Sequence, residues 1–342
     1  MRSPSPAIDA SDSTRSDWRG WVISDGHGEK YTSEALLSRL PVMVARHIHG
    51  LANPSDVGQV IAALRLAFAA VDVELLQQAR RVVQRTVAAV DMCVATAYFG
   101  AGAQLVLWDP KNRRLYVASV GRNRAVLARW DHTQPTAPAT LWQTCETHSA
   151  ATNQDEIERI QNLHPQREWS FLLRNNRLLG NLHTRSFGNY FWKCSVAARR
   201  SLLEYCHLPR MNLDALDTPP YVTAEPTVGV WEVTPVDNNR ACLILGNTGL
   251  WERMDNHQAV PLVRRWKRDH PTAPNREAGN AAEHLVLNAF AGSIGVRAEM
   301  LAVVVFFDVM RADSNRVEQV NIGPNGVDNA PPVRRLQYHR WR

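Results

Sequence analysis

Asp25-Gly26-His27-Gly28, at the end of the apolar run Trp21-Val22-Ile23, is the stretch best placed to do chemistry. A strand that delivers a carboxylate and then two glycines lets side-chain and backbone oxygens face one point in space. Hard divalent cations prefer such oxygens. A plain turn after a strand is the alternative reading of the same residues.

The elements around this stretch are legible in outline. Trp18–Ser24 reads as a short strand running into the motif. Leu36, Leu37, Leu40, Val44 and Ile48 fall on one side of a helix opened by Thr32-Ser33-Glu34 and kinked or stepped at Pro41. Asn53-Pro54-Ser55-Asp56 starts a long helix that reaches about Val87. Met92–Phe99 is rich in strand formers. Gln104–Trp108, a turn at Asp109-Pro110-Lys111-Asn112, and Arg113–Val120 form a hairpin. Strands are expected at Arg124–Trp130, Val228–Val233, Ala241–Gly246 and Met300–Asp308, and helices at Asn153–Leu163, Asn256–Lys267 and Asn280–Phe290. Residues 168–226 read as irregular, with Arg177–Asn189 the most motif-like part, and from Met310 onward the composition is loop-like. Strand runs interrupted by helix pairs point to one α+β domain with layered sheets. The expected division is a leader over 1–17, a domain over 18–308 and a C-terminal extension over 309–342.

Composition narrows the function classes. The chain has 342 residues, 45% of them hydrophobic, with eleven Trp. That is enough apolar surface for a full core. Its charge of +6 comes from 39 basic and 33 acidic residues. The basic ones are scattered, apart from Arg264–Arg268 and Arg334–Arg342, so nucleic acid is not expected as a partner. The five Cys show no CxxC spacing and read as reduced intracellular thiols. No apolar run reaches transmembrane length and no signal peptide is visible, so no membrane partner is expected. The Ser-rich leader carries three Asp, which disfavours a transit peptide. The expected address is intracellular, with cytoplasm and mitochondrion not separated.

In order along the chain, the motifs resemble those of metal-dependent protein serine/threonine phosphatases of type 2C, and most closely the pyruvate dehydrogenase phosphatase branch. Asp25–Gly28 is similar to the family's first metal motif. Cys93-Val94-Ala95-Thr96-Ala97 sits where the family has SGxTA, and the strand ending Gly121-Arg122-Asn123-Arg124-Ala125-Val126-Leu127 where it has GDSRAVL. His148 with Glu156, Arg159 and Ile160 resembles DH…E..RI. Arg177–Gly180 and Arg185-Ser186-Phe187-Gly188 resemble L…RSFGD. Thr218–Pro226, TPPYVTAEP, is similar to the pyruvate dehydrogenase phosphatase type, and Gly249-Leu250-Trp251-Glu252 resembles DGLWE. The resemblance covers roughly residues 18–308 and implies an α/β/β/α sandwich, with two antiparallel sheets flanked by helices. It also implies a pair of Mn²⁺ or Mg²⁺ ions that activate water for in-line attack on phosphate.

Residue by residue, the resemblance makes Asp25 the bridging acid and the Gly26 carbonyl the next ligand. Other acids are missing. Thr248 stands at the Asp of DGLWE, Ala298 at the Asp of a late DN motif with Glu299 beside it, Arg122 at the Asp of GDSR, Asn189 at the Asp of FGD, and Thr147 at the Asp before His148. The N-terminal strand that should carry a further acid and a phosphate-binding Arg is short or absent, and Asp9, Asp12 or Arg15 could substitute. Two dications repel strongly without anionic ligands, so one carboxylate and one carbonyl do not make a two-metal site. No cofactor is expected, and Mn²⁺ or Mg²⁺ at most weakly bound.

The candidate chemistry-bearing residues are therefore Asp25, His27 and Arg122, with Asp25 and Gly26 as residual metal positions. His27 sits behind the ligands in the family pattern, and His148 reads as satisfying a loop carbonyl. Arg122 could take the cation's place and pair with Asp25, lowering its pKa; a solvent-facing loop Arg is the alternative. The leading expectation is a pseudophosphatase, a binding or regulatory module with a protein partner, a phosphoprotein among the candidates. The alternatives are a weak phosphatase with a site rebuilt on Glu299, Glu252 or Asp255, and a cleft reused for metal-independent chemistry.

Overall fold

The computed structural model describes residues 18–28, 30–83, 99–134, 136–205, 215–233, 239–271, 280–291, 299–307, 316–322 and 339–340. The leader with Asp9, Asp12 and Arg15, the segment Cys93–Ala97, and Ala298 lie outside them.

Two antiparallel sheets form the centre. The first has the order β13 (His339–Arg340), β1 (Arg19–His27), β2 (Gly100–Asp109), β3 (Arg114–Val120) and β9 (Thr227–Glu232), and β8 (Phe187–Gly188) also pairs with β2. The second has the order β12 (Arg316–Ile322), β11 (Met300–Phe307), β10 (Asn239–Gly246), β4 (Arg124–Asp131) and β5 (Thr140–Gln143). Helices α1 (Tyr31–His49) and α2 (Val57–Val83) cover the first sheet. Between β5 and β9 run α3 (Gln154–Leu163), α4 (Gln166–Leu172), the short pair β6 (Leu173–Arg174) and β7 (Arg177–Leu178), α5 (Tyr190–Lys193) and α6 (Val196–Tyr205). The second sheet is covered by α7 (Thr248–Trp251), α8 (Asn256–Asp269) and α9 (Ala281–Ala291).

Period-two alternation sorts the side chains into three apolar layers. Leu243 and Leu245 of β10 point between the sheets, with Val117 of β3 and Val303 and Val305 of β11. Cys242 and Ile244 point the other way, onto α8 and α9 with Val304 and Phe306. On the outer face of the first sheet, Leu105, Tyr116 and Ala118 meet Leu36 and Leu40 of α1 and Leu64 and Phe68 of α2. Strands buried on both faces read as continuous apolar runs, as Met300–Phe307 does. The α/β/β/α sandwich is thus present, with Val117, Leu243 and Val304 wholly buried and Val22 partly so.

Several local expectations are corrected. β1 continues to His27, so Asp25 lies within the strand rather than on a turn after it. Asp25, Gly26 and His27 pair with Gly102, Ala101 and Gly100, whose small side chains leave the strand room to continue. α1 runs unbroken through Pro41, which is buried in the helix–sheet layer. Beyond Met310 the chain is not all loop: Arg316–Ile322 adds a strand to the edge of β11, and His339–Arg340 adds one to β1. The segment 168–226 holds short helices and paired strands rather than irregular chain alone.

Candidate functional site

One end of both sheets builds a cleft. β1 arrives with Asp25 and His27, the β3–β4 turn with Arg122, and the end of β10 with Thr248. Gly121 makes that turn possible. Its φ of +93° suits glycine, and a Cβ there would lie 2.9 Å from the Cα of Gly102, so turn and strand touch backbone to backbone. Trp251 locks the neighbouring strand ends together, its indole N–H donating to the Arg124 and Gly246 carbonyls, both at 3.0 Å. Asn247, 3% exposed, caps α7 through Oδ1, which also accepts from the Leu301 amide, and its Nδ2 donates to the Glu299 carbonyl. These contacts leave the Thr248 amide free to donate to Asp25 Oδ2 at 3.3 Å.

The cleft has a volume of about 810 Å³. Burial raises the Asp25 pKa above the usual carboxylate range; hydrogen bonds from Thr248 oppose this, and the charges of Glu299 and Glu252 add to it. Arg122 does not pair with Asp25, contrary to the sequence-based expectation. Its guanidinium reaches Glu252 at 3.2 Å instead, because α7 brings that carboxylate across the mouth of the cleft. The Asp25 pKa is thus raised rather than lowered. The Arg122 charge acts on the histidines.

His27 stacks on His183, ring centroids 3.7 Å apart and planes 13° from parallel. Burial, with Arg122 as a further cause, lowers the His27 pKa to about 4, and burial pushes His183 well below the ordinary value, so both are neutral. His27 Nε2 is buried without a hydrogen-bond partner. Asn189, in the left-handed region at φ +51°, places its Nδ2 at 3.0 Å from Ser186 Oγ, to which it donates, and at 3.4 Å from His183 Nε2. His183 carried no motif of its own and was missed; its only signal was its place in the motif-like stretch Arg177–Asn189. His148 is not in the cleft lining. It fixes the β3–β4 turn from behind, its Nδ1 accepting from the Gly121 amide at 3.1 Å and its Nε2–H donating to Thr227 Oγ1. The loop group it satisfies is thus an amide, not the expected carbonyl; its own backbone N–H meets the Gly121 carbonyl at 2.9 Å.

A family model described as protein phosphatase 2C matches residues 6–293. The chain belongs to the protein phosphatase 2C family. Among curated relatives, it is 28% identical over 316 residues to a protein phosphatase 2C homolog of Schizosaccharomyces pombe, covering 81% of this chain and 67% of that one. It is 29% identical to the mitochondrial pyruvate dehydrogenase (acetyl-transferring) phosphatase 1 of Saccharomyces cerevisiae, covering 71% of this chain and 43% of that one. Against the human mitochondrial phosphatase 2 of the same description it is 31% identical, covering 51% and 32%. The chain thus spans about two thirds of the fission-yeast relative and under half of the other two. Among solved structures, a serine-threonine phosphatase 2C of Toxoplasma gondii matches with a TM-score of 0.55 at 16% identity, covering 87% of both chains. A sex determining protein of C. elegans matches with a TM-score of 0.55 at 15% identity, covering 84% of this chain and 56% of that one. At these identities the structural likeness shows the fold.

Among the described residues of this phosphatase 2C chain, the donors at the cleft do not fit a pair of divalent cations. Asp25 supplies one carboxylate, already engaged by the Thr248 amide. Glu252 is paired with a guanidinium. Asp255 is committed to the N-terminus of α8, where it and Gln258 form a reciprocal cap. Glu299 is exposed. Among the described residues no group of three His, Cys, Asp or Glu could hold a metal ion. Other described family motifs act as structure. Glu156 is buried and accepts from Arg185 at 2.6 and 3.0 Å, from Arg159 at 3.0 Å and from the Thr184 hydroxyl. Arg185 also donates to the Glu225 carbonyl, and Ser186 N–H to the Thr223 carbonyl, tying TPPYVTAEP to RSFG. Glu168, wholly buried, takes the Thr218 and Tyr221 hydroxyls at 2.9 Å.

Proposed function

We propose that this protein phosphatase 2C chain is a pseudophosphatase: a phosphatase fold acting as a binding or regulatory module that engages a protein partner, phosphorylated or not, without hydrolysing phosphate. The observation that carries the reading is the Arg122–Glu252 pair at 3.2 Å, in the cleft where the family's chemistry needs acids free to neutralise cations. Retention of the surrounding scaffold supports it. Gly121, Asn247 and Trp251 hold the cleft's shape although the ligand positions have changed.

A second reading, a weak phosphatase with a rebuilt site, has one observation in its favour. Glu299 and Glu252 lie near enough to Asp25 to raise its pKa, a clustering of negative charge that a cation would relieve. Mn²⁺ titration by calorimetry separates the two. The pseudophosphatase reading expects no binding tighter than about millimolar, because one available carboxylate makes a weak Mn²⁺ site. Two ions bound per chain at micromolar affinity, with both lost in Asp25→Ala, would establish the rebuilt site instead.

A further inference from the structure

A second cavity, of about 520 Å³, lies at the other end of the second sheet. Arg240 stands near the start of β10, and the cleft's Thr248 lies just past its end. Eight residues of strand separate the two sites by roughly 25 Å. The cavity is enclosed by one side of α8, the β4–β5 loop and the first residues of β10. Its volume falls in the range that holds a small organic ligand.

Arg240, Arg264, Arg265, Lys267 and Arg268 line it, and no Asp or Glu does among the described residues. Cations in the last turn of a helix are favoured by its dipole, and that accounts for Lys267 and Arg268. It does not account for Arg240, which comes from a different element and converges on the same space. Three of the cations have contacts of their own. Arg264 donates to the Gln134 and Ala137 carbonyls and holds the β4–β5 loop as one wall. Arg268 pairs with Asp269 at 2.9 Å. Lys267 is 6% exposed, with its ammonium 4.9 Å from the centre of the Phe306 ring. Trp130, Leu141, Val260 and Pro261 add apolar surface to the lining. Gathering like charges in a half-enclosed space is costly, and a bound polyanion offsets that cost. Guanidinium groups suit phosphate in particular, through paired N–H donors.

We propose that this cavity is a binding site for a small organic phosphate, a molecule with two or more phosphate charges and a flat or apolar portion that lies against Trp130. It is independent of the cleft and of the pseudophosphatase reading. The test is a titration of the full chain with ATP in the presence of a metal chelator at low ionic strength, followed by calorimetry and by Trp fluorescence. Inorganic pyrophosphate and an acidic peptide serve as comparison probes. ATP is expected to bind at millimolar affinity or tighter, and pyrophosphate to compete for the same site more weakly. Arg240→Glu with Arg265→Glu should weaken ATP by about tenfold or more, whereas Arg122→Glu in the cleft should leave it unchanged. If charge reversal disturbs folding, Arg240→Gln with Arg265→Gln is the variant to measure, and it should weaken ATP in the same direction. ATP affinity that is unaffected by either double variant would overturn the proposal. So would an absence of ATP binding at millimolar concentration, or binding of the acidic peptide alone, which would assign the surface to a protein partner.

Discussion

Glu156→Ala is expected to lower stability by about 3–5 kcal/mol, the range for breaking a buried ion pair from one side. That corresponds to a fall in melting temperature on the order of 10 °C. Glu156 is 2% exposed. Burial alone would raise its pKa, but hydrogen bonds from Arg185 and then Arg159 outweigh this and hold it down at about 2. Removing the carboxylate leaves two guanidinium groups facing each other and the Thr184 hydroxyl without its acceptor. Arg185 would also lose the anchor that lets it hold the Glu225 carbonyl, so the RSFG and TPPYVTAEP segments should loosen together. Urea or thermal unfolding of the purified variant measures the change. A loss below about 1 kcal/mol, the range of an exposed pair, would show that the network is not the structural hub described.

Acid should destabilise the protein before its carboxylates titrate. His27 has its pKa lowered to about 4, by burial and then by Arg122. His148 is lowered to about 3, by burial and then by Arg185. Both are neutral in the fold and take up a proton near pH 6.5 when unfolded. The unfolded chain therefore binds more protons between these limits, and stability rises with pH there. The contribution is fully present above about pH 6.5 and is lost as the pH falls through about 4 and 3. Between pH 7 and pH 5 the two histidines together should cost about 4 kcal/mol, from the proton-linkage relation. His183, also lowered by burial, acts in the same direction. Glu156 adds its own loss only further down, between its ordinary value of 4.5 and about 2. The check is the urea midpoint at pH 7, 6 and 5. A flat profile, or one that rises on acidification, would contradict the buried neutral histidines.

Much of this was legible in the residues themselves. Asp25-Gly26-His27-Gly28 marked the cleft because a strand end with a carboxylate and glycines is a local pattern. Met300–Phe307 and Ala241–Gly246 read as strands because burial on both faces leaves an unbroken apolar run. Gly249-Leu250-Trp251-Glu252 held its register for physical reasons: a Cβ on Gly249 would strike the Glu299 carbonyl, and Trp251 ties two strand ends. The partner of Arg122 was not legible. Whether it meets Asp25 or Glu252 depends on where α7 swings after β10, which no local pattern states. His183 was hidden for a similar reason, since stacking on His27 joins positions 156 residues apart in sequence. Arg316–Ile322, RVEQVNI, reads as polar loop because an edge strand can draw its order from the backbone groups that β11 leaves open.

Hydrolysis tests most directly whether the fold is retained without the family's metal chemistry. The unmodified chain, supplied with millimolar Mn²⁺ and a phosphopeptide, is expected to release no more phosphate than Asp25→Ala does under the same conditions. Strong Mn²⁺-dependent release by the unmodified chain, abolished in Asp25→Ala, would contradict it.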